Sequence, residues 1–132
     1  MILLDTHVLL WHRRGDRRLG PRGRRTVERA IPRRQAAVSA ISFWEVAMRV
    51  RGGRLDLLVD PEAWRRDLLA QGLIEIPVNG LIGVRAGLLP GLHGDPADRL
   101  IVATALEGHE LITADRRILD WPGKLNRMDA TE

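Results

Sequence analysis

The sequence predicts an α/β domain, a mainly parallel sheet of four to five strands with helices packed on it. Three observations predict it. Short apolar runs of strand length alternate with segments of helical period along the chain. Cap and breaker residues (Asp, Ser, Gly and Pro) stand at the joins between them. A length of 132 residues, 45% apolar and 29% charged, suits one globular domain covering residues 1–132.

The elements follow in order. Ile2-Leu3-Leu4 is a buried-strand candidate, closed by Asp5-Thr6, both good helix caps. A short helix is expected over residues 8–11, and the segment from Gly15 to Gly20 breaks it. Residues 21–31 read as a helix, with Pro21 in its first turn and Pro32 past its end. Residues 36–39 form the second strand candidate. Residues 42–51 read as a helix with Ser42 as N-cap, Glu45 at capping-box spacing, and Gly52-Gly53 as the stop. A further helix, residues 61–70, is opened by Asp60 and closed by Gly72. Residues 73–78 alternate as a short strand, although Pro77 lies within them. Residues 79–88 are helical in period but carry three glycines. Gly94-Asp95-Pro96 opens the best-marked helix, residues 96–107, which Gly108 stops. Residues 110–113 are a strand, 114–119 a helical turn, and 125–128 a last strand of poor composition.

Composition excludes several classes of chemistry. With no Cys there is no disulfide, no thiolate zinc site and no cysteine nucleophile. Net charge is +4, yet the sequence pI is about 11.1. The only lysine is Lys124, and Tyr and Cys are missing, so little titrates between histidine and arginine. The pI therefore overstates the charge. Its distribution is more telling. Residues 1–34 hold 10 Arg and 3 acids, net +7; residues 35–132 hold 11 bases and 14 acids, net −3. Such an end suits a polyanion partner, or else a solvated helix face. No signal peptide is expected, because a carboxylate follows Met1-Ile-Leu-Leu directly. The longest apolar stretch, residues 100–106, is far below the ~20 residues a membrane helix needs. The expectation is a cytoplasmic protein with no membrane partner.

In parallel sheets, ligands bind beyond the carboxyl ends of the strands. Asp5 ends the first strand, and Asp115 follows the strand that ends at Thr113. Glu45 interrupts the apolar run Phe43-Trp44-Glu45-Val46-Ala47. Asp98 stands in the first turn of an almost wholly apolar helix. Each acid taken alone has a plain alternative. Asp5 and Asp115 would serve as helix caps, Glu45 as partner to Arg49 at i+4 or in the capping box, and Asp98 in a capping arrangement begun by Asp95. Together they form a pattern, since clustered carboxylates cannot all ionise in a dry site without a cation. Four acids without cysteine point to a hard oxygen-ligated ion, Mg²⁺ or Mn²⁺. His7 and His12 are badly spaced for one helix face, and His93 and His109 read as isolated, so zinc is disfavoured. An acidic metal cluster beside an Arg-rich surface suits phosphodiester hydrolysis.

Four segments carry a resemblance. Ile2-Leu-Leu-Asp5-Thr6-His7, Ser39-Ala-Ile-Ser42-Phe-Trp-Glu45-Val, His93-Gly-Asp95-Pro-Ala-Asp98-Arg99-Leu-Ile-Val-Ala-Thr-Ala and Leu111-Ile-Thr113-Ala-Asp115 resemble, in order and spacing, the four motifs of PIN-domain ribonucleases. The similarity is to the VapC toxins of bacterial type II toxin–antitoxin pairs, and it runs from Met1 to about Leu119. It implies a three-layer α/β/α domain with the acids at one pole. It also implies a Mg²⁺- or Mn²⁺-dependent endoribonuclease acting on a tRNA or ribosomal RNA, silenced by a cognate antitoxin. The resemblance further implies a homodimer, with a larger toxin–antitoxin assembly as the alternative. By the resemblance Asp5, Glu45 and Asp98 are metal ligands, and Asp115 acts through water or at a second metal. Thr6, Thr113 and Arg99 would support them, with Arg99 anchoring its helix or touching phosphate. Asp95 reads as a helix cap. Arg17, Arg18, Arg24 and Arg25 are the candidate RNA contacts, or contacts to an acidic stretch of antitoxin. The antitoxin groove would lie between residues 43–51 and 64–69, with Trp44 and Trp64 as contacts or as buried core.

Three rival readings share the layering. A receiver-type phosphoacceptor domain needs an acidic pair where this chain has Asp5-Thr6. A haloacid-dehalogenase phosphatase needs a carboxylate where this chain has His7. A non-catalytic RNA- or partner-binding module would not need all four acids, which are intact here.

Overall fold

Successive side chains of a strand point to opposite faces of its sheet, and this alternation splits the core in two. The computed structural model describes residues 1–132. The chain runs β1 (Ile2–Leu4), α1 (Thr6–Arg14), α2 (Pro21–Ala30), β2 (Ala36–Ser39), α3 (Ala40–Arg51), α4 (Pro61–Ala70), β3 (Ile74–Ile76), α5 (Gly80–Leu88), α6 (Pro96–Ala105), β4 (Glu110–Thr113), α7 (Arg116–Leu119) and β5 (Arg127–Asp129). The sheet order is β3-β2-β1-β4-β5, and every pairing is parallel.

Leu4, Val38 and Ile112 face a layer that includes Val8 and Leu9 of α1, Val27 of α2, Val46 of α3 and Leu68 of α4. Leu3, Ala37 and Leu111 face Ile101, Val102 and Ala105 of α6 and Ile118 of α7. On α5, Ile82 and Ala86 pack outside α6 around Ala103. The result is the three-layer α/β/α arrangement expected. Each fully buried Leu, Ile or Val contributes roughly 1.5–3 kcal/mol, so this double-sided burial is what holds the short strands. No helix is long and apolar enough to cross a membrane.

Several boundaries differ from the sequence reading. The first helix begins at Thr6, because Asp5 caps it through its own side chain. It runs on to Gly15, whose left-handed φ of 64° ends it. The third helix starts at Ala40, not after Ser42: Ser39 at the strand end accepts from the Ile41 N–H and is the cap. Ser42 is buried inside the helix, and the proposed capping box with Glu45 does not form. The last strand exists despite its composition. Arg127 is tolerated in it because its guanidinium donates to the carbonyls of Ile118 and Trp121, at 2.8 and 2.7 Å.

Two joins shape the sheet. Gly72, between α4 and β3, has a φ of 113° and lies against the Ile31 carbonyl. The second join is at the centre of the sheet. The chain builds outward from β1 through β2 to β3, then returns to the other side of β1 with β4. The carboxyl ends of β1 and β4 therefore flank the crevice where strand order reverses, the usual ligand position in such sheets.

Candidate metal centre

Asp5 leaves β1 at that crevice and is 5% exposed. Its Oδ1 accepts the Thr6 N–H at 2.8 Å, so the capping role is real. Its Oδ2 accepts the Thr113 hydroxyl from the end of β4 at 2.7 Å. Thr6 turns the other way. A carboxylate only accepts, and each hydroxyl has one proton to give. The Thr6 hydroxyl therefore donates to Glu45 Oε1, and the Ser42 hydroxyl, 2.8 Å away, donates to Thr6. One threonine thus ties α3 to the start of α1 and fixes Glu45 near Asp5. Glu45 also keeps its i+4 partner, with Arg49 3.9 Å away.

Asp98 enters from the first turn of α6. Asp95 caps that helix by accepting the Asp98 N–H at 3.1 Å. The Asp98 side chain lies 2.7 Å from His93 Nε2. His93 is thus not isolated, a correction to the sequence reading: the loop before α6 folds back onto the helix start. Asp115 caps α7 and is held by Arg117, whose Nη2 is 3.0 Å from Asp115 Oδ2 and 3.6 Å from Asp98 Oδ2. His93, Asp98 and Asp115 each offer one donor atom, all within 4.8 Å of one another.

Arg99 does not face the pocket with free donors. Its guanidinium donates to the carbonyls of Ala86, Gly87, Leu89, Leu92 and His93. It pins the loop between α5 and α6, and with it His93. Arg99→Ala should therefore cost about 2–4 kcal/mol in a denaturant melt, because it strands several carbonyls at once. Arg99→Lys should recover little of this, since an ammonium cannot span five carbonyls.

The acids feel one another. Burial raises the Asp5 carboxyl, against the Thr113 hydrogen bond and with Asp115 adding to the rise. Burial also raises Glu45, opposed by Thr6 and Arg49 and increased by Asp5 and Asp95. Asp98 is pushed up to about 6, by burial first and then, against the His93 hydrogen bond, by Asp5, Asp95 and Asp115. Asp115 goes the other way: burial would raise it, but the hydrogen bonds and charge of Arg117 bring it below the usual range. A divalent cation would relieve the three raised groups at once. Carboxylate oxygens with one imidazole at the edge are donors suited to a hard or borderline ion, so the residues fit Mg²⁺ or Mn²⁺.

Beside the acids lies a shallow cleft lined by Asp5, His7, Trp11, Arg18, Ala114, Asp115 and Arg117. Of the sequence-predicted arginines, Arg18 is on its wall, stacked on Trp11 at 5.0 Å and paired with Asp16 at 2.6 Å. Arg17, Arg24 and Arg25 line a separate hollow around Pro21, and Arg24 spends donors on the carbonyls of Asp16 and Leu19. Trp64 is buried, packing edge-on against Phe43 at 6.1 Å, with part of its surface lining a cleft beside Leu57, Leu58 and Val59. Trp44 is 57% exposed.

Sequence reasoning missed His93, Ser42 and Arg117. The His-Gly-Asp-Pro segment and the Asp115-Arg-Arg117 spacing were visible, but only the folded loops show where those side chains turn.

A family model described as PIN domain matches residues 2–124. Over 119 residues the chain is 36% identical to ribonuclease VapC22 of Mycobacterium tuberculosis, covering 89% of this chain and 88% of that one. The fold is similar to a chain of a toxin–antitoxin complex from Klebsiella pneumoniae, with TM-score 0.66, 24% identity and coverage of 98% of both chains. It is also similar to a chain of DNA-bound VapBC from Salmonella typhimurium, with TM-score 0.70, 18% identity and coverage of 98% and 99%.

Proposed function

The chain belongs to the PIN-domain family, and we propose that it is a Mg²⁺- or Mn²⁺-dependent endoribonuclease that hydrolyses internal phosphodiester bonds of RNA. One observation carries the reading: Asp5 at the end of β1, Asp98 at the start of α6 and Asp115 after β4 gather at the sheet's reversal point, where Asp98 and Asp115 converge with His93, and Thr6, next to Asp5, holds Glu45. Asp5, Glu45, Asp98 and Asp115 would hold the metal. When bound, it supplies a Lewis acid for the phosphate and a means of activating water. Thr113 aims Asp5, and Thr6 aims Glu45. His93 stands where it can accept or pass a proton to Asp98. The net +7 of residues 1–34 attracts the RNA backbone, with Arg18 on the cleft wall beside the acids and Arg17, Arg24 and Arg25 in a separate hollow that would hold RNA farther along its length. A tRNA or ribosomal RNA is the substrate class.

The relative's name and the complexes similar in fold support a toxin of a type II toxin–antitoxin module. A cognate antitoxin would lie along the cleft of Leu57, Leu58, Val59 and Trp64, with Trp44 and Met48 exposed on the neighbouring α3. Leu81, Val84 and Leu88 form an exposed apolar stripe on α5, suited to a second copy in a homodimer.

The test is direct. Total RNA incubated with the protein and Mn²⁺ should give discrete new ends, and excess chelator should stop their appearance. Replacing Arg17, Arg18, Arg24 and Arg25 by Ala should weaken RNA binding and flatten its dependence on salt. Cleavage that continues undiminished in chelator would sink the metal-dependent reading.

A further inference from the structure

We propose that Arg117 is a built-in counter-ion of the acid pocket, displaced when a divalent cation loads, and that the freed guanidinium then holds a substrate phosphate. The proposal rests on the reading of this pocket as a metal site. Arg117 Nη2 lies 3.0 Å from Asp115 Oδ2 and 3.6 Å from Asp98 Oδ2. These are two of the three residues whose donor atoms converge within 4.8 Å. The guanidinium thus holds the carboxylates that a metal ion would need. Two cations on the same oxygens repel, so loading one requires the other to move.

Arg117 is free to move. Its side chain is 61% exposed, and its partners outside the backbone are Asp115 and Asp98. The other arginines nearby are committed elsewhere. Arg99 is spent on five carbonyls, Arg127 on the carbonyls of Ile118 and Trp121, and Arg116 on Asp120 and Asp129.

Where Arg117 goes is set by the cleft. It shares that wall with Arg18, and Asp5 and Asp115 form the side nearest the pocket. A guanidinium released there stays beside the acids with two parallel donors facing open solvent. That fork matches a phosphate oxygen pair. Arg117 in this account is a positioning residue for the backbone next to the bond that is cut. Its handover also keeps the acids partnered before and after loading.

The experiment uses the whole protein and two readouts that need no turnover. Mn²⁺ affinity is measured by titration calorimetry without RNA. Binding of a cleavage-resistant 2′-O-methyl oligoribonucleotide is then measured at saturating Mn²⁺. Arg117→Gln should bind Mn²⁺ about three- to tenfold more tightly, the scale of removing an exposed cation from beside the site. It should bind the oligonucleotide about three- to tenfold more weakly, the scale of one lost phosphate contact. Arg116→Gln, whose partners are off the cleft wall, should change neither, and circular dichroism checks that both variants fold. Unchanged or weaker Mn²⁺ binding by Arg117→Gln overturns the proposal, and so does unchanged oligonucleotide binding. If the wild type binds Mn²⁺ and cuts RNA in either of those cases, the proposal alone fails. If the wild type binds no Mn²⁺, the metal-site reading fails with it.

Discussion

Asp98→Asn should abolish RNA cleavage and, at neutral pH, make the metal-free protein more stable. Both effects come from one carboxylate. An amide oxygen is a poor ligand for Mg²⁺ or Mn²⁺, so activity should fall at least about a hundredfold. Asp5→Asn should do the same, and wild-type rates in both variants would refute the assignment of the acids. The stability effect follows from which state of the chain holds the proton more tightly. The folded Asp98 carboxyl titrates at about 6, against an ordinary 3.8, because burial and the charges of Asp5, Asp95 and Asp115 outweigh His93. The folded state therefore holds that proton more tightly than the unfolded chain. Stability falls as pH rises from about 3.8 to about 6, and the cost is full above that window. Asparagine removes the cost. Thermal melts in chelator should show a higher Tm for Asp98→Asn at pH 7, with the gap closing toward pH 4. A lower Tm at pH 7 would mean that the His93 and Arg117 contacts outweigh the burial of the charge.

Gly72→Ala should produce a large loss of stability. The residue has a φ of 113°, where an L side chain is strained. A Cβ there would also overlap the Ile31 carbonyl oxygen, which belongs to backbone and cannot swing away. Strain and overpacking together should cost about 3 kcal/mol by urea denaturation. Gly72 lies at the amino end of β3, opposite the pole that carries the acids. Cleavage per folded molecule should therefore stay at the wild-type level at low temperature. A loss below about 1 kcal/mol would show that the turn re-forms around the alanine.

The sequence announces whatever is local. Ile2-Leu3-Leu4, Ala36 to Ser39 and Glu110 to Thr113 are strands because their neighbours are caps and breakers, and the structure places strands there. Asp60 and Asp95 cap helices at the expected places, while Asn79, read as the first helical residue, is instead the cap of α5. Ser39 and Ser42 were harder to separate, since both precede helical residues; Ser42 loses because its hydroxyl is claimed by Thr6, 36 residues away. Asp5 and Asp115 stood out at strand ends, and Glu45 and Asp98 because they interrupt apolar helices. His93 against Asp98, Arg117 across two acids and Arg99 under five carbonyls did not. Those contacts depend on how loops fold back, which spacing along the chain does not encode. The last strand reads as weak on composition, and the carbonyls that satisfy Arg127 lie in α7 and just past it, which no strand pattern reveals.

The hydrogen bond from Thr113 to Asp5 joins residues 108 positions apart in the chain. Thr6, Ser42 and Glu45 can join early, but the pocket is incomplete until β4 has docked beside β1. Contacts of such long span close late, because their loop entropy is lost before any pairing repays it. During synthesis the first strand therefore waits, with its acid in place, for almost the whole polypeptide to emerge. Hydrolytic power should arrive in one late, cooperative step of maturation rather than growing with chain length. A ribosome-bound nascent chain halted before residue 110 should be inert toward RNA.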